Sequence, residues 1–226
     1  MHKIIERAKK EKRSLLETEA KGLLKEYKIS VPDFKLIKNE DEISKIAKEI
    51  AYPLVMKIVS PDIIHKSDAG GVKIGIKNEN EAKLAYKEII SKAKKYNKEA
   101  KIFGVIVSPV VPQGTEVIVG MTKDPHFGPV VMFGLGGIFV EILKDVSFRI
   151  LPLEEKDAQE MIAEIKGYKI LRGARGESPK DIEAIKRILI KISQLTMENP
   201  EINEIDLNPI FVFKKGIQVI DARIIL

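Results

Sequence analysis

The segment Leu54–Val59, LVMKIV, is apolar on both of the faces an extended chain presents, and it carries a single lysine. A strand of that kind has no side to give to water, so it belongs inside a sheet that is covered on both faces. Tyr52-Pro53 ends the helical pattern before it. A long loop, SPDIIHKSDAGG, follows before Val72–Ile76 resumes an extended pattern. Lys57 is thereby directed into the protein, and His65 sits in a loop closed by Gly70 and Gly71. A lysine on a strand neutralises phosphate, and a neutral imidazole accepts or passes a phosphoryl group, so the pairing points to phosphoryl transfer.

The flanking patterns supply the rest of an α/β lobe. Ser14 followed by Glu17 reads as a capping box ahead of Leu15, Leu16, Ala20, Leu23, Leu24 and Tyr27, which predicts an amphipathic helix over 14–28. Helices over 41–51 and 80–96 and a strand over 102–108 complete the lobe. After Pro109 and Pro112 the pattern changes to strands at 115–121 and 129–133 and helices at 155–166 and 179–197. The chain closes with a hairpin, 204–213 against 216–224, turned at Lys215-Gly216. The expected division is an N-terminal lobe, 1–107, with its leading helix, a hinge at 108–113 and a C-terminal lobe, 114–226. Clefts between lobes are common ligand sites.

A chain of 226 residues accommodates two such lobes. The absence of cysteine excludes disulfides, thiolate metal sites and a cysteine nucleophile, and it agrees with a cytoplasmic location. The longest near-apolar run, 127–140, is interrupted by Pro129 and four glycines and falls short of the roughly 18 residues of a membrane span. The N-terminus lacks the apolar core of a signal peptide. Net charge is +6, but acids and bases are interleaved and aromatic residues make up only 6%, a pattern that argues against nucleic acid as a partner.

In the closing hairpin Glu204, Asp206 and Asn208 alternate with Ile205, Leu207 and Pro209, placing the polar trio on one strand face. Asp221 falls close to opposite Asn208 across the turn, and magnesium prefers such oxygen donors together with phosphates and water. An ordinary half-exposed strand fits the same spacing. Lys57 likewise reads either as a phosphate ligand or as an edge lysine that snorkels to solvent. Lys66 and the small Gly70-Gly71 pair, which lets backbone N–H groups approach an anion, support the former. The glycine-rich turn at 134–137 is either an anion cradle or a tight turn, and RGARG at 172–176 is either a phosphate clamp or a solvated turn. His126 lies in a Pro/Gly-bounded turn. The residues alone lead to a magnesium–nucleotide cleft.

The order and spacing of LLETEAKGLLKEYKISVP, YPLVMKIVSPDIIHKSDAGGV, GTEVIVG, DPHFGPVVMFGLGGIFVEILKDVSFRILPL, LRGARG, SPKD, EIDLNPI and VIDARI resemble the ATP-grasp β subunits of ADP-forming acetate–CoA ligases over nearly the whole chain. The resemblance implies an α+β ATP-grasp fold, two lobes holding ATP or ADP between them, with Mg2+. It also implies a separate CoA-binding α subunit in a heterotetramer. The implied reaction turns acyl-CoA, ADP and phosphate reversibly into acid, CoA and ATP through a phosphohistidine. On this resemblance His65 relays the phosphoryl group and Lys57 binds phosphate. Asn208 and Asp221, with Asp206 beside them, hold the metal. Ser108 and Val111 of the hinge meet adenine through backbone groups, and Glu116 lies near ribose or phosphates. The turn at 134–137 faces the arriving loop of the partner, and an apolar surface over 134–140 is buried on assembly.

At the hinge this chain has Ser108-Pro109-Val110 where such sequences often have Gln-Glu-Met, and His126 stands where Gln is common. Two other functions remain open: the nucleotide half of a ligase for succinate or aryl acids, and a non-catalytic nucleotide-sensing module of an acyltransferase. Retention of both Lys57 and His65 speaks against the sensor, which has no use for a relay histidine.

Overall fold

Two β-sheets organise the structure, a computed structural model that describes residues 2–137, 140, 143–174 and 176–226. Each sheet belongs to one of two compact units, Pro32–Pro112 and the joined segments Met1–Val31 and Gln113–Leu226.

In Pro32–Pro112 the strands β1 (Lys35–Ile37), β2 (Leu54–Val59), β3 (Val72–Ile76) and β4 (Gly104–Pro109) form an antiparallel sheet in the order β1-β4-β2-β3. The helices α3 (Ile43–Glu49) and α4 (Glu79–Tyr96) pack together, and α4 lies against β2 and β3. Asn78 caps α4 by accepting from the Glu81 N–H, and Glu81 returns its carboxylate to the Lys77 N–H. Leu54, Met56 and Ile58 enter the core with Val105, Val107 and Ile89, burials worth about 1.5–3 kcal/mol per large side chain. The alternation of the strand therefore sends Lys57 to the opposite face, directly across from Ile106 and Val72.

The second unit is built on the sheet order β10-β8-β5-β6-β7, with β9 also paired to β8. Its strands are β5 (Thr115–Asp124), β6 (Gly128–Leu135), β7 (Val146–Ile150), β8 (Glu204–Val212), β9 (Ile217–Val219) and β10 (Arg223–Ile225). Among the described residues three helices follow β7: α5 (Glu155–Glu164), the short α6 (Tyr168–Leu171) and α7 (Ile182–Glu198). Val117, Val119, Phe133, Leu135, Ile205 and Leu207 are buried, and α5 and α7 pack against β6.

Residues 1–31, expected with the N-terminal lobe, join this second unit instead. The reason lies in long-range pairing. The Leu15 N–H donates to Ile224 O, the Val219 N–H donates to Ser30 O, and the Lys191 ammonium donates to Lys28 O. Because Leu15 is held by β10, α2 starts at Glu17, not at 14, and ends at Glu26. Its capping contact is Leu16 N–H to Glu19 Oε2, not the expected Ser14 and Glu17 box. A helix that the sequence pattern did not reveal, α1 (Lys3–Lys10), precedes it. Arg13 and Arg7 both pair with the buried Glu19 carboxylate. Among the described residues no helix is long and apolar enough to cross a membrane.

Candidate functional site

Lys57 is buried on β2, and that strand runs directly into the loop carrying His65 and Lys66. The loop is a chain of turns anchored at its apolar points. Ile63 and Ala69 are buried, Lys101 N–H donates to Asp62 Oδ2, and Ala69 N–H donates to His65 O. The His65 ring is exposed on this framework and Lys66 is half-buried. The role expected of Gly70 and Gly71 requires correction. Their N–H groups donate to Ser67 O and Lys66 O, so they serve the turn and not an anion. A Cβ on Gly71 would come within 2.5 Å of Ile58 Cγ2, and Gly70 has a φ of +61°. Glycine is needed there for close packing and a left-handed backbone.

At the end of the same unit Ser108 is buried on β4 opposite Val55, and Val111 is half-buried. The Val110 N–H between them donates to Pro53 O.

The second unit contributes the acidic residues. Glu116 lies on β5 opposite Phe211, and its carbonyl accepts the Gly136 N–H. A Cβ on Gly136 would approach Glu116 Cβ to 2.9 Å, and one on Gly137 would sit 3.7 Å from Glu116 Oε2. The glycine-rich turn is thus shaped to lie against Glu116. Gly134, Leu135 and Gly136 are buried within the chain, which overturns the exposed apolar surface expected over 134–136. The remainder of that surface includes Ile138 and Phe139, which lie outside the described residues, as does Arg175 of the arginine-rich turn. Arg172 is exposed.

On β8 the pairing Asp206↔Arg223 on one side and Ile210↔Val219 on the other keep one register, which places Asn208 opposite Asp221. The pairing with β5 shifts between Val117 and Val119, opposite Ile210 and Leu207, so the bulge falls at Asn208 and Pro209. Bulges re-aim side chains in this way beside functional sites. Asn208 is exposed, while Asp206 and Asp221 are half-buried. Burial pushes the Asp206 carboxyl up from its ordinary value; Arg223 pulls it back, and the carboxylates of Glu204 and Asp221 add to the rise. The donor set is hard oxygen throughout, as a divalent cation of the magnesium type requires. Among the described residues no three His, Cys, Asp or Glu side chains form a metal cluster. An amide and two carboxylates instead suit an ion that keeps water and takes phosphate oxygens. Arg223 was missed from the sequence, although its place two residues after Asp221 on the returning strand was the available signal.

His126 is exposed at the tip of the β5–β6 hairpin, where Asp124 Oδ1 accepts the N–H groups of His126 and Phe127.

Comparison with known proteins adds to this geometry. The family model described as an ATP-grasp domain matches residues 7–226. The chain is 59% identical over 223 residues to the β subunit of acetate–CoA ligase [ADP-forming] I of Pyrococcus furiosus, covering 99% of this chain and 96% of that one. It is 50% identical to 4-hydroxybutyrate–CoA ligase [ADP-forming] of Nitrosopumilus maritimus, covering 98% of this chain but only 32% of that protein. A solved structure of the dinucleotide-forming acetyl-coenzyme A synthetase 1 of Ca. Korarchaeum cryptofilum, with coenzyme A, Ca-AMPCP and HgCl+, aligns with a TM-score of 0.95 at 51% identity, covering 98% of this chain and 97% of that one. The same enzyme with coenzyme A and Mg-AMPPCP, its phosphohistidine segment pointing towards the nucleotide-binding site, aligns with a TM-score of 0.86 at 48% identity, covering 99% and 98%.

Proposed function

The chain belongs to the ATP-grasp family, among the β subunits of ADP-forming acetate–CoA ligases, and we propose that it is the subunit that moves a phosphoryl group between a phosphohistidine and ADP. The overall conversion is acyl-CoA, ADP and phosphate to acid, CoA and ATP, run together with a CoA-binding α subunit in a cytoplasmic heterotetramer. The observation that carries this reading is His65, exposed on an anchored turn at the end of the strand that buries Lys57.

In the proposed mechanism Lys57 holds the terminal phosphates of the nucleotide, and Lys66 balances charge beside His65. Residues 108–113 act as the hinge, with Ser108 and Val111 offering backbone groups to adenine and Glu116 lying near the ribose or phosphates. Asp206, Asn208 and Asp221 hold Mg2+. When bound, the ion neutralises phosphate oxygens and orients them. A lone pair of the neutral His65 imidazole attacks the phosphorus carried by the partner; the N–P bond at His65 forms as the partner's N–P bond breaks. In the second step a terminal oxygen of ADP attacks that phosphorus and the His65 N–P bond breaks, leaving ATP and neutral imidazole. Acid choice resides in the partner, which keeps ligases for other acids, such as that for 4-hydroxybutyrate, within the same reading.

The test is reconstitution. Mixing this chain with its α subunit, acetyl-CoA, ADP, Mg2+ and phosphate is expected to yield ATP, and neither chain alone is expected to do so. ATP made by this chain by itself would overturn the division of labour.

A further inference from the structure

The turn that presents His65 is closed by three successive amides. Ala69 N–H donates to His65 O at 3.2 Å, Gly70 N–H to Ser67 O at 2.9 Å and Gly71 N–H to Lys66 O at 2.7 Å. The carbonyls of residues 65–67 are thus held by the amides of 69–71, and the backbone of His65 is placed through these bonds. Ile63 and Ala69 sink into the core cluster that contains Ile89 and Ala93 of α4. Gly70, between Ala69 and the buried Gly71, is only half-buried and has no side chain of its own to shield the bonds from water.

Lys92 of α4 supplies that shield. A Cβ on Gly70 would come within 2.7 Å of Lys92 Cδ and 3.6 Å of both Lys92 Cβ and Cγ, so three consecutive carbons of the stem lie against the glycine. Lysine stems cover a surface in this way while the ammonium stays in water, and Lys92 as a whole is exposed. The fit is mutual, since the left-handed φ of +61° and the Lys92 stem each favour glycine at position 70. The lysine is delivered from a firm element: α4 runs over 18 residues, Asn78 caps its start, and Ile89 and Ala93 beside Lys92 are fully buried. Glu88, one turn earlier on the helix, bonds Lys73 of β3 at 2.5 Å. Lys73, with Lys92 adding a smaller pull, holds the Glu88 carboxyl below its ordinary value. Helical side chains lean toward the N-terminus, and Glu88 draws the Lys92 ammonium the same way.

We propose that Lys92 is a positioning residue for phosphoryl transfer: its methylene stem closes the turn over Gly70 and thereby holds His65 in the orientation that receives phosphorus. This deepens the functional reading above and rests on it for the role of His65. Removing the stem opens the three amide bonds to water, and a turn that samples more conformations presents the imidazole in the reactive one for less of the time. The loss falls on the rate of transfer, while ADP affinity, which belongs to other residues, is untouched. The ammonium has no part in this role, so an unbranched side chain of similar length without the charge serves in its place.

The first measurement is hydrogen exchange on the full chain, which needs neither partner nor turnover. Lys92→Ala is expected to speed exchange of the Ala69, Gly70 and Gly71 amides by about tenfold, with the amides of β2 and β4 and the thermal midpoint unchanged. Lys92→Met is expected to stay within about threefold of wild type. The second measurement is the rate at which label appears on His65 in the reconstituted pair. Lys92→Ala is expected to lower that rate about tenfold with ADP affinity unchanged, and Lys92→Met to restore it to within about threefold of wild type. Lys94→Ala, which alters another exposed lysine of α4, is expected to change it less than about twofold. Wild-type exchange in Lys92→Ala, or faster exchange with labelling unchanged, would overturn the proposal and leave the functional reading intact. Equal loss of labelling in Lys92→Met and Lys92→Ala would assign the effect to the ammonium, and a thermal midpoint that falls with the labelling rate would assign it to general stability; either would overturn the proposal. A wild-type pair in which His65 never carries label would remove the functional reading and the positioning role with it, whatever the exchange rates.

Discussion

Two turns of this molecule each present an exposed histidine, and they differ in what stands behind it. His65 follows a strand that buries a lysine, on a loop pinned by Ile63, Ala69 and its own carbonyl. His126 stands at a hairpin tip, pinned by Asp124, with an exposed phenylalanine next to it. Local geometry is similar, since both rings sit on turns whose backbone groups are satisfied. The difference is in the chain around each ring: the strand that buries Lys57 and the adjacent Lys66 in one case, Asp124 and the exposed Phe127 in the other. An imidazole becomes a phosphoryl carrier through the charges that receive the phosphate, so histidine in a turn is by itself uninformative.

The strongest way to break this contrast is to exchange the two roles. His65→Ala is expected to lower ATP formation by the reconstituted pair by at least about 10³-fold with ADP affinity nearly unchanged, since the loss falls on transfer chemistry. His126→Ala, with the α subunit in excess, is expected to stay within about threefold of wild type. Equal losses from the two would erase the distinction. Next in size is Lys57→Ala, expected to weaken nucleotide binding by about 1.5–3 kcal/mol, roughly 10- to 150-fold, as read by calorimetry. Unchanged affinity would remove that lysine from the site.

The contrast also shows what local pattern can carry. Leu54–Val59 was legible because no solvent face is available to an apolar run of that length, and the hairpin register followed from the turn before Gly216, whose φ is +81°. The convergence of Asn208 and Asp221 came with it. What was not legible depends on distant partners. Ser14 and Glu17 match a capping box by spacing, but Ile224 O takes the Leu15 N–H and moves the helix start. The strand β7 alternates as VSFRI, yet Phe148 and Ile150 are exposed while Ser147 and Arg149 contact α5, which inverts the usual pattern. The glycines beside His65 suggested an anion cradle because sequence does not reveal which carbonyls consume their N–H groups.

Two smaller effects sharpen the comparison of the turns. Gly71→Ala would force a contact with Ile58 Cγ2 and is expected to destabilise the chain by about 1–3 kcal/mol, seen as a lowered thermal midpoint, and to reduce turnover with it. Asp124→Ala removes the acceptor that holds the His126 turn and is expected to cost about 1 kcal/mol of stability without reducing turnover at excess α subunit.

The central claim, that phosphorus passes through His65, is tested by trapping it there. The pair is mixed with labelled phosphate and acetyl-CoA in the absence of ADP, quenched in base, and this chain is separated from its partner and mapped. Acid-labile, base-stable label on the peptide containing His65, absent from the His65→Ala chain and chased into ATP when ADP is added, is the expected result. A reaction in which this chain never carries label, while His65→Ala turns over at the wild-type rate, would show that the phosphoryl group reaches ADP directly from the partner.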